Sequence, residues 1–304
     1  MFTLLQYPFI QNALLAGSLV AIIAAIMGYF LVMRGLTFAG HALSHIGFAG
    51  AAGAVLLGTD PVFGLLVFTV GASVGIGLLG KEIRERDIAI GVITTLTLAL
   101  GILFLSLYHG YAEQAYSILF GTIIGISQMD VLITTLFSCG VLAIILAFFR
   151  PLLFSSFDPE VAQARGVPVR PLAIIFLVLV AITVSISVQV VGILLIFTLL
   201  VGPAATACRL ARRPLTAIVA AILLGLAYTW LGILLAATTN WPVSFFIAAL
   251  SFGVYLLVRL LAPLRKVRPP DRTEPHRHNT LPSPGNPAQP SATEITGQLQ
   301  KLSH

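Results

Sequence analysis

The sequence predicts an all-α, polytopic membrane bundle of about nine transmembrane helices, and three observations carry that prediction. Charge is scarce: 58% of the 304 residues are hydrophobic and 9% are charged, whereas soluble domains carry roughly 25% charged residues. The apolar residues gather in runs long enough to cross a ~30 Å hydrocarbon core, and the mean hydropathy is +1.01. The basic residues fall in alternate gaps between those runs.

The runs lie at about 9–33, 36–58, 62–80, 88–107, 129–149, 171–188, 190–208, 215–236 and 243–262. Helices are the physical choice, because an unclosed strand in lipid leaves backbone groups unpaired. The breaks are "GTDP" (58–61), "KEIRERD" (81–87), "NWP" (240–242) and the longer loop around 150–170, while "SISVQVVG" (185–192) barely separates its neighbours. The opening run follows no basic segment, so no cleavable signal peptide is expected and the run stays in the mature protein. Cys139 and Cys208 lie far apart in apolar segments, which implies neither a disulfide framework nor a four-cysteine metal site.

Lys and Arg prefer the cytoplasmic side of a membrane. With nine spans and an outside N-terminus, the inside segments hold Arg34; Lys81, Arg84 and Arg86; Arg150, Arg165 and Arg170; Arg209, Arg212 and Arg213; and the basic residues from Arg259 to Lys301, which accounts for all 17. The outside keeps the acids Asp60, Glu113 and Asp130. A crossing by 115–127 ("AYSILFGTIIGIS") would invert everything after it, so this short piece is expected to be re-entrant or interfacial. The net charge of +6 is therefore a topology signal and not a nucleic-acid footprint.

Residues 1–265 form the expected membrane domain, and 266–304 an expected disordered cytoplasmic tail rich in Pro, Ser, Thr and Asn with little to bury. The tail's His276 and His278 could hold a metal loosely, though two histidines in such a tail are more simply solvated side chains. "GIGLLG" (75–80) matches a dinucleotide-binding pattern, and "GIGLLGKE" a phosphate-loop pattern. Both need a preceding strand and a following helix N-terminus, and here the glycines close an apolar span. The small residues "GASVG" (71–75) are better suited to close helix packing. The chain is expected to carry no ATPase of its own.

Two stretches remain. "FAGHALSHIGFAGAAGA" (38–54) places His41 and His45 one helical turn apart on one face. Ionisable residues inside a membrane tend to line pathways, although a buried histidine can also be a hydrogen-bonded packing residue. "SFDPEVAQARG" (156–166) reads as a short capped helix. Ser156 or Asp158 can cap it, Pro159 suits its first turn, Glu160 favours its positive end, and Gly166 with Pro168 stops it. Such a helix is shaped to dock into another protein, where the simpler alternative is a solvated connector.

Taken in order, "LVMRGLTFAGHALSHIGFAGAAGA", "RERDIAIGVITTLTLALGILFLS", "YSILFGTIIGISQMDVL", "SFDPEVAQARGVPV" and "VVGILLIFTLLVGPAATA" make the chain resemble the permease subunits of ABC-type metal-uptake transporters, which import zinc, manganese or iron. The resemblance spans about residues 12–262 and implies the helical core shared with cobalamin and siderophore importers. It also implies a bacterial cytoplasmic (inner) membrane, two permease copies and two cytoplasmic ATP-binding subunits. A solute-binding protein would deliver metal from outside, ATP would be used by the partner, and no cofactor would be permanently bound. Ser156, Phe157, Asp158, Pro159, Glu160 and Gly166 would form the coupling helix that seats in the ATPase.

The family usually reads "GDALSH" where this chain has "GHALSH", so His45 matches and His41 replaces a carboxylate. A second imidazole favours zinc, while a carboxylate would favour manganese; zinc is the expected cargo, with manganese or iron left open. Two histidines do not complete a tetrahedral shell, and water, the second copy's histidines, Ser44 or Gln189 are the available supplements. The "TNWPVSF" turn (239–245) has Asn240 where the family commonly places an acid. A haem or siderophore cargo keeps the same machine. A secondary transporter would need membrane-embedded acids, and this chain has almost none.

Overall fold

In the computed structural model, residues 8–79, 83–108, 121, 125–239 and 241–261 are described. Every element among them is helical: α1 Pro8–Met33, α2 Thr37–Leu56, α3 Pro61–Leu79, α4 Ile83–Leu107, α5 Gln128–Ala147, α6 Phe149–Phe157, α7 Pro159–Ala164, α8 Val169–Val191, α9 Ile193–Leu210, α10 Pro214–Thr239 and α11 Val243–Leu261. The expected spans match these helices closely. The doubtful boundary near 185–192 resolves into a clean break at Gly192, whose φ of 81° is a left-handed conformation that glycine adopts without steric cost. Most of segment 115–127, Lys81, Glu113, Asn240, and the tail with His276 and His278 lie outside the described residues, as do the side chains of Arg84 and Arg86.

Among the described residues, eight helices are long and apolar enough to cross a membrane. The exception among the long helices is α2, which has 20 residues, or about 30 Å at 1.5 Å per residue. Its histidines and glycines dilute its hydropathy. It is nevertheless deeply embedded: thirteen of its positions, from Ala39 to Ala54, are buried. A helix that is buried against other helices need not be greasy, because it meets protein in place of lipid.

Layering follows from side-chain size. The long helix α1 packs against α9 and α10, and α2 lies against α3 and α4, with α8 packed on α3. Over their apolar stretches 72% of α1 and of α8 is buried, against 11% of α4 and 17% of α11, so the first two are the centre and the last two the rim. The rim exposes Ile88, Val92, Leu96, Phe252 and Leu257, an apolar surface that water would not tolerate and that suits lipid or neighbouring subunits.

Glycine allows the tightest approach. A Cβ added at Gly50 of α2 would collide with the Gly64 carbonyl of α3, and one at Gly64 with that of Gly50, so these two backbones touch. A Cβ at Gly77 would instead press on the Ile174 side chain of α8. The expectation that "GASVG" packs tightly needs correcting. Gly71 and Gly75 have no atom within 4 Å of a Cβ position among the described residues, since they point away from the neighbouring helices. Gly75 and Gly77 lie inside helix α3, which excludes the strand–loop–helix geometry that a phosphate loop requires. Cys139 and Cys208 are both free.

Buried polar side chains in the core are mostly satisfied locally. The Thr69 and Ser185 hydroxyls are 2.7 Å apart and link α3 to α8, and each also reaches a carbonyl of its own helix.

Candidate functional site: a histidine pair and a capped docking segment

The chain leaves α1 through Arg34, Gly35 and Leu36 and enters α2 at Thr37. His41 therefore sits about 6 Å, and His45 about 12 Å, along the helix from its start. The expected sharing of one face is observed. The two imidazole centroids are 4.6 Å apart at an interplanar angle of 79°. Phe197 of α9 packs edge-on against His41 at 4.7 Å and 67°, which pins that ring from the other side.

The polar atoms of this pair matter more than the ring contacts. His41 Nδ1 is buried and has no hydrogen-bond partner among the described residues. A buried nitrogen without a partner costs free energy, so the fold keeps an open ligand atom inside a bundle whose other polar groups are mostly paired. Thr134 Oγ1 of α5 is buried in the same condition, but a hydroxyl is a poor ligand for zinc compared with imidazole.

The proposed supplements fare less well. Ser44 is 1% exposed, and its hydroxyl donates to the Gly40 carbonyl of its own helix at 3.1 Å, which ties the group down one turn back. Gln189 is half-buried near the end of α8, a helix that packs on α2. No group of three or more His, Cys, Asp or Glu side chains converges among the described residues. The described residues of one chain thus bring together two imidazoles and no larger group of such side chains.

At the end of the bundle where α1 passes into α2, the loop expected to be a single helix over about 156–166 is two helices. The first, α6, continues α5 almost directly; the chain then turns at Asp158 into the six-residue α7. Asp158 is the cap: its Oδ1 accepts from Val161 N at 3.0 Å, with Pro159 and Glu160 in the first turn. The helix closes on Gly166, whose φ is 82°. Gly166 N donates to Gln163 O and Val167 N to Ala162 O, each at 3.0 Å, the paired bonds of a left-handed glycine terminus. Ala162 is fully buried while Phe157 and Val161 are 57% and 43% exposed, so the element anchors on one small residue and offers apolar and acidic groups outward.

Ser156 has a different role from the one its sequence position indicates. It lies inside α6, its hydroxyl donates to Leu152 O at 2.6 Å, and it accepts from Arg34 Nε at 2.9 Å. The hydroxyl is turned into the protein, so Ser156 neither caps α7 nor belongs to an outward docking face. Arg34 itself counted in the sequence only as one of the basic residues. Its isolation at the end of a long apolar run, directly before a glycine, is the signal that could have singled it out.

A many-helix bundle with helices long and apolar enough to cross a membrane defines a multi-span membrane protein. The chain belongs to the ABC 3 transport family, which it matches over residues 6–262. It is 36% identical over 211 residues to the manganese transport system membrane protein MntC of Halalkalibacterium halodurans, covering 69% of this chain and 72% of that protein. It is 30% identical over 233 residues to the high-affinity zinc uptake system membrane protein ZnuB of Haemophilus influenzae, covering 76% and 89%. Among solved structures, PsaBC from Streptococcus pneumoniae in complex with Fab superposes with a TM-score of 0.77 at 32% identity, covering 86% of this chain and 94% of the other.

Proposed function

We propose that this chain is the membrane-spanning permease of an ATP-driven importer that carries divalent metal ions, zinc first among them, into the cytoplasm. The observation that carries the proposal is the edge-on His41–His45 pair, with the unpartnered His41 Nδ1 inside α2. Two imidazoles per chain, brought together in a pair of permeases, would supply up to four nitrogens, which suits the tetrahedral preference of zinc. A site that each chain only half completes can also release its cargo, as transport requires. The permease performs no covalent chemistry; hydrolysis belongs to an ATP-binding subunit seated on α6–α7, and a solute-binding protein delivers the metal from the other side.

Manganese is the second reading, favoured by the names of several relatives, MntC and the manganese import system permease protein ScaB of Streptococcus gordonii among them. Ligand chemistry separates the two, because manganese prefers oxygen donors to imidazole. Radiolabelled zinc and manganese uptake in cells lacking other importers tests the assignment. Zinc is expected to be taken up in preference by the natural chain, and His41→Asp to shift the preference toward manganese. Faster manganese than zinc uptake by the natural chain would reverse the order of the two.

The proposed orientation puts the N-terminus outside and the tail inside, in a bacterial inner membrane. It is supported by one cavity of about 330 Å³ that Met33, Phe157, Arg212 and Arg213 line together, so the end of α1, the end of α6 and the basic turn before α10 share one end. Single cysteines at positions 3 and 285 test this with an impermeant label on intact cells: labelling at 3 alone is expected, and labelling at 285 alone would invert the scheme.

A further inference from the structure

Arg34 sits at the junction of the two features just described. Its backbone closes α1, with Arg34 N donating to Phe30 O at 3.0 Å, and three residues later α2 begins. Its side chain crosses to α6. Nε donates to Ser156 Oγ at 2.9 Å, Nη2 to Ser155 Oγ at 2.6 Å and to Leu152 O at 3.3 Å. The guanidinium carbon also lies 5.1 Å from the centre of the Phe176 ring on α8. Below it, Phe30 meets Tyr29, Phe149 and Phe176 edge-on, with centroids at 5.3, 5.9 and 6.2 Å, so the surroundings are packed rings.

The partners are unusual for a half-buried cation. All three are neutral oxygens, and burial alone lowers the guanidinium to about 10. A charge taken from water without a carboxylate is costly, and a neutral side chain would avoid that cost if the site only needed filling. The planar fork of arginine binds two hydroxyls and a carbonyl at once and stacks on an aromatic face, which a lysine cannot reproduce. Asp158, which starts the docking helix, follows Ser156 by two residues, and His41 lies about one turn into the helix that begins three residues after Arg34.

We propose that Arg34 is the positioning residue that links the docking segment to the histidine helix, so that a displacement of α6–α7 by the ATPase is passed to the N-terminal end of α2. The link rests on the reading of α6–α7 as the ATPase seat. It is a short relay: docking helix, Ser155 and Ser156, the guanidinium, the Gly35 turn, then α2 and its imidazoles. Physical continuity of this kind becomes coupling only if breaking it separates two outputs that otherwise move together.

The complex of permease, ATP-binding subunit and solute-binding protein, reconstituted in vesicles, reads both outputs: ATP hydrolysed and radiolabelled zinc transported. In Arg34→Lys, the charge is kept and the fork removed. ATPase association and hydrolysis are expected to stay within about twofold, and zinc moved per ATP to fall about tenfold, a loss of ~1.4 kcal/mol in coupling. Ser155→Ala is expected to give a smaller loss in the same ratio, and the double variant to be no worse than Arg34→Lys alone, because the two groups share one contact. Natural zinc-per-ATP in Arg34→Lys would overturn the proposal, as would strictly additive losses. Dissociation of the ATPase from Arg34→Lys would also overturn it, by reducing Arg34 to a brace for the docking segment. Glu160→Arg in the same preparation reports on the docking reading by itself, since a complex that keeps its ATPase through that change would remove the seat whatever Arg34 does.

Discussion

Two polar groups flank the start of α2, and the fold treats them in opposite ways. At the corner, Arg34 has hydrogen bonds to three oxygens and a ring beneath it. About one turn into α2, His41 keeps Nδ1 buried and unpaired among the described residues. A satisfied polar group holds parts together, because breaking its bonds exposes a desolvation cost. An unsatisfied one leaves a polar atom open to a ligand. Within one short stretch the molecule therefore separates a polar group that is held from one that is left open, and under the proposed function the open one receives the transported ion.

The comparison can be broken most severely at the receiving part. His41→Ala and His45→Ala should each lower zinc uptake by at least about tenfold, since even outer partners of metal-bound histidines cost 10–100-fold when lost. Protein level and ATPase assembly should be unchanged, which membrane quantification and co-purification check. The next effect belongs to the docking segment. Gly166→Val forces a β-branched residue to a φ of 82°, a strain of roughly 1–3 kcal/mol, in a helix of six residues with little else to hold its end. Asp158→Ala removes a cap worth ~1 kcal/mol. Both should weaken ATPase binding several-fold, with Gly166→Val the stronger, and pull-down titrations would rank them. The smallest effect sharpens the contrast from the other side. Thr69 and Ser185 form a buried polar contact that is fully made, so Thr69→Val should cost only ~0.6 kcal/mol and leave uptake within about twofold. A loss of transport as large as that of the histidine variants would mean that any buried polar change in this bundle is equally damaging.

Much of this was legible in the chain itself. Apolar run length placed the spans to within a few residues because lipid imposes both a length and a helical backbone, so the pattern is coarse and strong. The His41–His45 face followed from helical periodicity alone, and the Pro159 and Gly166 signals fixed the ends of α7 because they act within one turn. What stayed hidden depends on three-dimensional neighbours. The sequence offered both Ser156 and Asp158 as caps, and only the turn of the chain at residue 158 decides between them. It marked 71–75 as a packing stripe, but the helix rotates Gly71 and Gly75 outward and gives the close approaches to Gly50, Gly64 and Gly77. Arg34 looked like a topology marker because its hydroxyl partners lie more than a hundred residues away.

X-ray absorption at the zinc edge of the purified, zinc-loaded complex tests the central claim most directly, since it reads the ligands and not the flux. The account predicts nitrogen scatterers at about 2.0–2.1 Å with imidazole character, lost in the His41→Ala/His45→Ala double variant while the ATPase remains bound. An unchanged imidazole signature in the double variant would contradict it and return both rings to packing.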